Sequence, residues 1–444
     1  VSSIAPELDR AELLSSFDAI RARTRSLFDL VVPESYESRP IRLRNPIVFY
    51  EGHLPAFNVN TLLKKGLGRV GVDPSLERIF ERGIDPEDET KANPRGNVTS
   101  WPARSEVLRY AEAADRAIRD ALENAPLERD DRPALRRGEA VFAILEHELM
   151  HQETLLYILH QLPHAQKRRP AGAVPEPGGP APRPASVRIP AGVAVLGASI
   201  ESAPFGWDNE FPAHEVEVPA FSIDVYDVTN QQFLDFVEAG GYGREALWSP
   251  EDWRWLRAAA IERPLFWARR NGEWYWRGLF EDFPLPPGWP VYVTQAEASA
   301  YSRWKGKRLP TEAEFHRSAY GTPSGKHRAY PWGEEPPDES RGNFGFVRWN
   351  PVRIGSLPDG CSAFGVHDLV GNGWEWTSST FEGFPGFRPM ASYPEYSADF
   401  LDGLHFVLKG ASPATATELL RRSFRNWFRP HYPYVYATFR CVAR

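Results

Sequence analysis

Two patterns of apolar residues divide the chain. Up to about residue 163 apolar positions recur at three- and four-residue intervals, whereas beyond about residue 189 they fall in short runs that Gly or Pro interrupts every few residues. In the first part Leu13, Phe17, Ile20, Leu27 and Leu30 repeat as one face of a helix, with Asp9 and Glu12 placed as a capping pair ahead of them. NPIVFYEGHLPAFNVNTLL, residues 45 to 63, predicts a second helix, which Pro55 should end or kink. A third runs from about Pro102 through Val107, Ala111, Ala114, Ile118 and Leu122, and a fourth from about Ala134 through Leu145, Leu149, Leu156 and Leu159. Four such helices predict a bundle.

The second part predicts strands and long loops, from VAVLGAS, HEVEVPAFSI and FVLKGAS. Asn271-Gly272, flanked by Trp267 and Trp274, is a two-residue hairpin signal. Helical patches at 230–240 and 295–306 make this part an irregular α+β domain, and no fixed-period repeat is present.

Composition sharpens the division. Of the 15 tryptophans, all but Trp101 lie beyond Ile189. Between the two regimes the Pro/Gly-rich run 167–188 disfavours both helix and ladder and reads as a semi-rigid linker. The domains expected are therefore 1–166, helical, and 189–444, mixed. Lys and Arg number 52 against 59 Asp and Glu, a net charge of −7, which lacks the basic excess of a nucleic-acid binder. Two cysteines, Cys361 and Cys441, cannot staple domains of this size and form no CxxC pair. With no basic-then-apolar leader at the start and no run of ~18 apolar residues, the chain is expected to be cytoplasmic, with no membrane or nucleic-acid partner.

The sharpest chemistry is EHELMHQE, residues 146 to 153. A helix turns ~100° per residue, so His147 and His151 project from one face, ~5–6 Å apart, close enough to share a metal ion. The third ligand available in the same bundle is His53, on the second helix. His160 and His164 read as a polar helix end, and the histidines of the second part show no ligand spacing. His147-Glu148-Leu149-Met150-His151 also fits H-E-x-x-H, in which a Glu serves as general base on zinc-bound water. That hydrolase reading needs a further ligand downstream, where the chain instead enters its linker.

The second part carries DNEFPAHEV (208–216), DVTNQQFLDFV (227–237), PVYVTQAEASAYSRWKGKRLPTEAEF (290–315), YPWG (330–333), GNGWEWT (371–377) and a closing FR-x-x-x-R. In number and order these phrases resemble the formylglycine-generating-enzyme, or sulfatase-modifying-factor, fold, which implies a C-type-lectin-like core. The cysteine pair of those enzymes is not reproduced by Cys361 and Cys441, so that activity is not implied. A DinB-like four-helix bundle with three histidines fused to this fold resembles the EgtB-like family of non-heme iron sulfoxide synthases of ergothioneine biosynthesis, with ovothiol and selenoneine synthases as close relatives.

That resemblance implies His53, His147 and His151 as ligands of Fe(II), with dioxygen as cosubstrate. It implies Tyr393, in SYPEYSADF, as the catalytic tyrosine handling a proton or hydrogen. Tyr396, Asn426, Trp427 and, by a looser match in ANPRGN, Arg95 are implied as substrate-binding residues. An aromatic face such as Trp427 suits a quaternary ammonium. Met150 and Phe428 mark departures: members using γ-glutamylcysteine carry a glutamine at the first and an acidic residue at the second, and an arginine where Tyr432 stands. Likewise their GGSW is Gly410-Ala411-Ser412-Pro413 here, while PIRLRNPIVFYEGHLPAF and FERGIDPED lie nearer the selenoneine and ovothiol branches. The donor stays open among cysteine, γ-glutamylcysteine, a selenosugar and another thiol, and the acceptor between hercynine and histidine. A zinc hydrolase and a non-catalytic lectin-like binding module stand as the other readings.

Overall fold

Asp9 opens the first helix by accepting the amides of Ala11 and Glu12 on its side chain, at 2.9 and 3.1 Å, which satisfies donors no intrahelical carbonyl can reach. In the computed structural model, residues 8–81, 100–171, 173, 179–201 and 203–443 are described. They fall into two units, one comprising the chain up to Ala171 together with Pro389–Glu395, the other comprising the remainder.

The first unit is helical. Its elements are α1 (Arg10–Phe28), α2 (Ile47–Asn58), a π-helix (Val59–Gly66), α3 (Pro74–Phe80), α4 (Arg104–Asn124) and α5 (Glu139–His160). The spacing read from the sequence is the spacing that is buried: Leu13, Phe17, Ile20 and Leu27 on α1, and Val107, Ala111, Ala114, Ile118 and Leu122 on α4. Arg10 joins the two by donating to the carbonyls of Leu122 and Ala125 at the end of α4, where helix carbonyls lack partners. Every residue of α2 is buried, as a helix apolar all round requires.

Three expectations are corrected. Pro55 does not end its helix: α2 continues to Asn58 and runs directly into the π-helix, where Leu67 N–H reaches back five residues to Leu62 C=O. Burial on all sides holds the segment helical although the ring removes one donor. The fourth helix starts at Glu139 rather than near Ala134, because Arg137 and Gly138 both take positive φ and form a left-handed corner. His160 is buried rather than a polar tip.

The second unit is built from short strands: β1 (Ser186–Ile189), β2 (Gly192–Leu196), β3 (His214–Val218), β4 (Phe221–Asp224), β5 (Trp267–Arg270), β6 (Glu273–Arg277), β7 (Asp282–Pro284), β8 (Lys307–Arg308), β9 (Gly373–Thr380), β10 (Phe406–Ala411), β11 (Asn426–Phe428), β12 (Ala437–Thr438) and β13 (Val442–Ala443). They form sheets ordered β1-β4-β13-β8 and β11-β10-β9-β12, a β2-β3 pair and a β5-β6-β7 meander. Asn271 and Gly272 both take positive φ between β5 and β6, the conformation of a two-residue turn matched to strand twist. Helices α6 (Asn230–Glu238), α7 (Pro250–Ala258), α8 (Gln295–Trp304) and α9 (Glu312–Tyr320) lie in the same unit. Thr229, Thr294 and Thr311 start α6, α8 and α9 with the same reciprocal cap, each paired with a Gln or Glu three residues on. The linker is tied at both ends: Arg168 N–H bonds Leu30 C=O in the first unit, and Arg353 bonds Pro180 C=O in the second.

Candidate metal centre

Helix α5 presents two stripes of polar residues to two different neighbours. His147 and His151 lie one turn apart with ring centroids 4.4 Å from each other. The next stripe, Glu148 and Gln152, faces α1: Glu148 accepts from Arg21 at 2.9 Å and Thr24 at 2.6 Å, and Gln152 donates to Ile20 C=O and Thr24. His53 on α2 completes the first stripe, its ring 5.2 Å from His147 and 5.1 Å from His151. One ligating nitrogen from each of the three lies within 4.8 Å of the others.

The arrangement fits a divalent transition-metal ion. Nδ1 of His147 and Nδ1 of His151 are buried with no hydrogen-bond partner among the described residues, an unusual state for buried polar atoms. Burial, followed by the neighbouring His151 and His53 rings, holds His147 well below the ordinary histidine value; burial, His53 and Arg44 do the same for His151. Both imidazoles are thereby neutral, the form that coordinates. His53 is oriented differently. Its Nδ1 donates to Phe80 C=O at 2.7 Å, at the end of α3, and its other ring nitrogen would be the one to bond a metal ion. The close approach depends on Gly52, where a Cβ would stand 2.4 Å from the Phe80 ring.

Aromatic rings wall the three histidines. Phe57 stacks on His147 at 3.5 Å and 9°, and Phe49 stacks on His53 at 5.0 Å and 18°. These residues sit four before and four after His53, so helical periodicity could have found them. Tyr393 belongs to the segment that groups with the helical unit; its ring lies 5.2 Å from Phe57 and 6.2 Å from His147. Met150 is half-buried on α5 beside His151. Glu148 does not serve the H-E-x-x-H reading, because its Oε1 is committed to Arg21 and Thr24 of α1 and its Oε2 accepts from Asn58 at the end of α2.

The remaining residues singled out in the sequence lie in the second unit, apart from Arg95, which is outside the described residues. Tyr396 stacks on Trp207 at 3.9 Å and meets Trp427 edge-on at 5.3 Å, and Trp427 stacks on Phe381 at 4.1 Å. Asn426 Oδ1 accepts the Trp427 amide at 2.9 Å. Phe428 stacks on Tyr432 at 4.9 Å and 11°, an uncharged pair.

Comparison with known proteins agrees with this layout. Residues 16–155 match the DinB superfamily, and residues 173–444 match the sulfatase-modifying factor enzyme 1-like domain. The chain is 34% identical over 432 residues to the hercynine oxygenase of Mycolicibacterium thermoresistibile, covering 95% of this chain and 92% of that protein. It is 35% identical over 426 residues to the hercynine oxygenase of Mycobacterium tuberculosis, covering 94% and 95%. Ergothioneine biosynthesis protein 1 of Schizosaccharomyces pombe is 30% identical over 438 residues, which cover 90% of this chain and 52% of the fungal protein. The chain therefore belongs to the EgtB-like family of the hercynine oxygenases, oxidoreductase-type synthases that join a DinB-type helical domain to a sulfatase-modifying-factor-like domain.

Proposed function

We propose that the protein is an Fe(II)- and dioxygen-dependent synthase that joins a sulfur or selenium donor to the imidazole carbon of hercynine. For a thiol donor the balance is closed: the imidazole C–H and the S–H are lost, a C–S bond forms, one oxygen atom of dioxygen ends on sulfur and the other in water. The observation that carries the reading is the convergence of three histidine nitrogens within 4.8 Å. His53, His147 and His151 would hold the Fe(II) ion, which would supply the redox chemistry.

The chain's own residues supply the rest. Phe49 and Phe57 cover the histidine faces and keep water from them. The Tyr393 phenol, beside His147, holds or hands over the proton that leaves the reacting groups. In the second unit Tyr396 and Trp427 offer aromatic faces suited to a trimethylammonium group. Met150 and the stacked Phe428–Tyr432 pair carry no charge, which favours a donor that makes no salt bridge at those positions, such as cysteine or a selenosugar. The cytoplasm is the compartment this chemistry fits, and no described helix is long and apolar enough to cross a membrane.

The test is oxygen uptake by anaerobically purified, Fe(II)-loaded protein given hercynine with cysteine, γ-glutamylcysteine or a selenium donor, followed by mass spectrometry. Uptake with a joined imidazole product is expected. Absence of uptake with every donor, and with histidine in place of hercynine, would overturn the reading. Against the H-E-x-x-H hydrolase, Glu148 is engaged with Arg21 and Thr24 of α1.

A further inference from the structure

Tyr393 stands in a loop far along the chain from the histidines, and a loop side chain keeps its place only if its backbone is held. The residue before it is held at both ends of its peptide chemistry. Ser392 N–H donates to the Glu139 carboxylate at 2.7 Å, and Ser392 C=O accepts from Lys65 Nζ at 2.9 Å. Ser392 itself is 1% exposed. All three residues lie within the helical unit.

The two partners are not arbitrary surface groups. Glu139 is the first residue of α5, the helix that carries His147 and His151. Lys65 lies in the π-helix that continues α2, which carries His53 and Phe57. Ser392 is thus referenced to both histidine-bearing elements at once. The π-helix also bears on which face Lys65 occupies. At ~100° per residue, a continuous α-helix would turn Lys65 ~80° away from Phe57, eight residues earlier. Bonding to the fifth residue takes more than four residues per turn, so Phe57, Thr61 and Lys65 fall nearer one line. Phe57 contacts Tyr393 directly, and Lys65 reaches the peptide next to it.

We propose that Lys65 and Glu139 form a two-point clamp on the Ser392 peptide and act as positioning residues for Tyr393 beside the three-histidine centre. The proposal rests on the reading of that centre given above. Lys65 is exposed, so its substitution opens no cavity. Lys65→Arg keeps a donor and Glu139→Gln keeps an acceptor, whereas Lys65→Met and Glu139→Leu remove them.

The experiment combines kinetics with a direct measure of position. Lys65→Met and Glu139→Leu should each lower kcat about tenfold with KM changed less than about twofold, as misplacement of a reacting group does. Fe(II) stoichiometry should be unchanged, and the Arg and Gln variants should recover most of the rate. In a Tyr393→Phe background Lys65→Met should cost less than about twofold more, because the clamp then has nothing to position. An equal loss with and without the Tyr393 hydroxyl would overturn the proposal, as would an unchanged kcat. Position is read separately by 19F NMR of 3-fluorotyrosine placed at residue 393 in Co(II)-loaded protein. The paramagnetic shift should change on Lys65→Met and return in Lys65→Arg, and a shift indifferent to Lys65 would sink the clamp. This readout needs no turnover, so an inactive wild-type protein would remove the synthase reading while the clamp was still judged by the shift.

Discussion

Both units bury polar groups, and the buried ion pairs of the second differ in kind from the histidine cluster of the first. In the second unit Arg440, fully buried, donates to Asp227 at 2.9 Å and Glu375 at 2.7 Å. Arg425 pairs with Glu312 at 2.9 Å, and Arg421 with Glu210, which also accepts from Ser423. In these three pairs each buried charge meets its opposite. In the first unit Arg21 and Glu148 follow the same rule, but on the neighbouring stripe of the same helix His147 and His151 bring together buried nitrogens with no hydrogen-bond partner among the described residues. A cluster that withholds partners from costly buried groups keeps its donor atoms for a ligand, whereas paired opposite charges hold a fold.

Substitutions on the two sides break this contrast in different observables. The largest effect is expected from His147→Ala, which should weaken Fe(II) binding by more than about 100-fold, beyond what losing an outer partner costs, while leaving the helical fold intact by circular dichroism. Replacing Arg440 by Met strands two buried carboxylates and should destabilise the second unit by about 3–5 kcal/mol in urea titration, with metal stoichiometry retained. Gly52→Ala lies between the classes. Its Cβ collides with the Phe80 ring, so stability should fall by about 1–3 kcal/mol, and Fe(II) affinity about tenfold as the His53–Phe80 hydrogen bond is disturbed; isothermal titration and thermal melting separate the two. The smallest effect concerns Lys409, whose ammonium burial pushes down to about 8 from the usual 10.5. Below pH 8 both folded and unfolded chains hold the proton. Between pH 8 and 10.5 only the unfolded chain does, so stability should rise with pH there, by on the order of 2 kcal/mol up to pH 10. Lys409→Met should abolish that rise in unfolding curves measured across the range.

Local chemistry was readable where neighbours in sequence are neighbours in space. The Asp9 cap, the Asn271-Gly272 turn and the one-face spacing of His147 and His151 each need only a few consecutive residues. Phe49 and Phe57 were readable by the same rule, four residues either side of His53, but rings beside a histidine on an apolar helix look like ordinary core. Pro55 misled because local propensity predicts a break, whereas burial of all twelve residues of α2 outweighs one missing donor. Nothing local announces the π-helix that follows.

By itself the amino-acid sequence determined the division into a helical and a strand-rich part, the histidine pair on one helix face and the net negative charge, because periodicity, spacing and charge are properties of the chain. Only the tertiary structure decided that His53 turns on the Phe80 carbonyl, that Glu148 serves α1 rather than the histidines, and that residues 389–395 group with the helical unit. Each of these rests on contacts between residues tens to hundreds of positions apart. Such contacts form only once burial has closed the loops between them, and no periodicity in the chain encodes them.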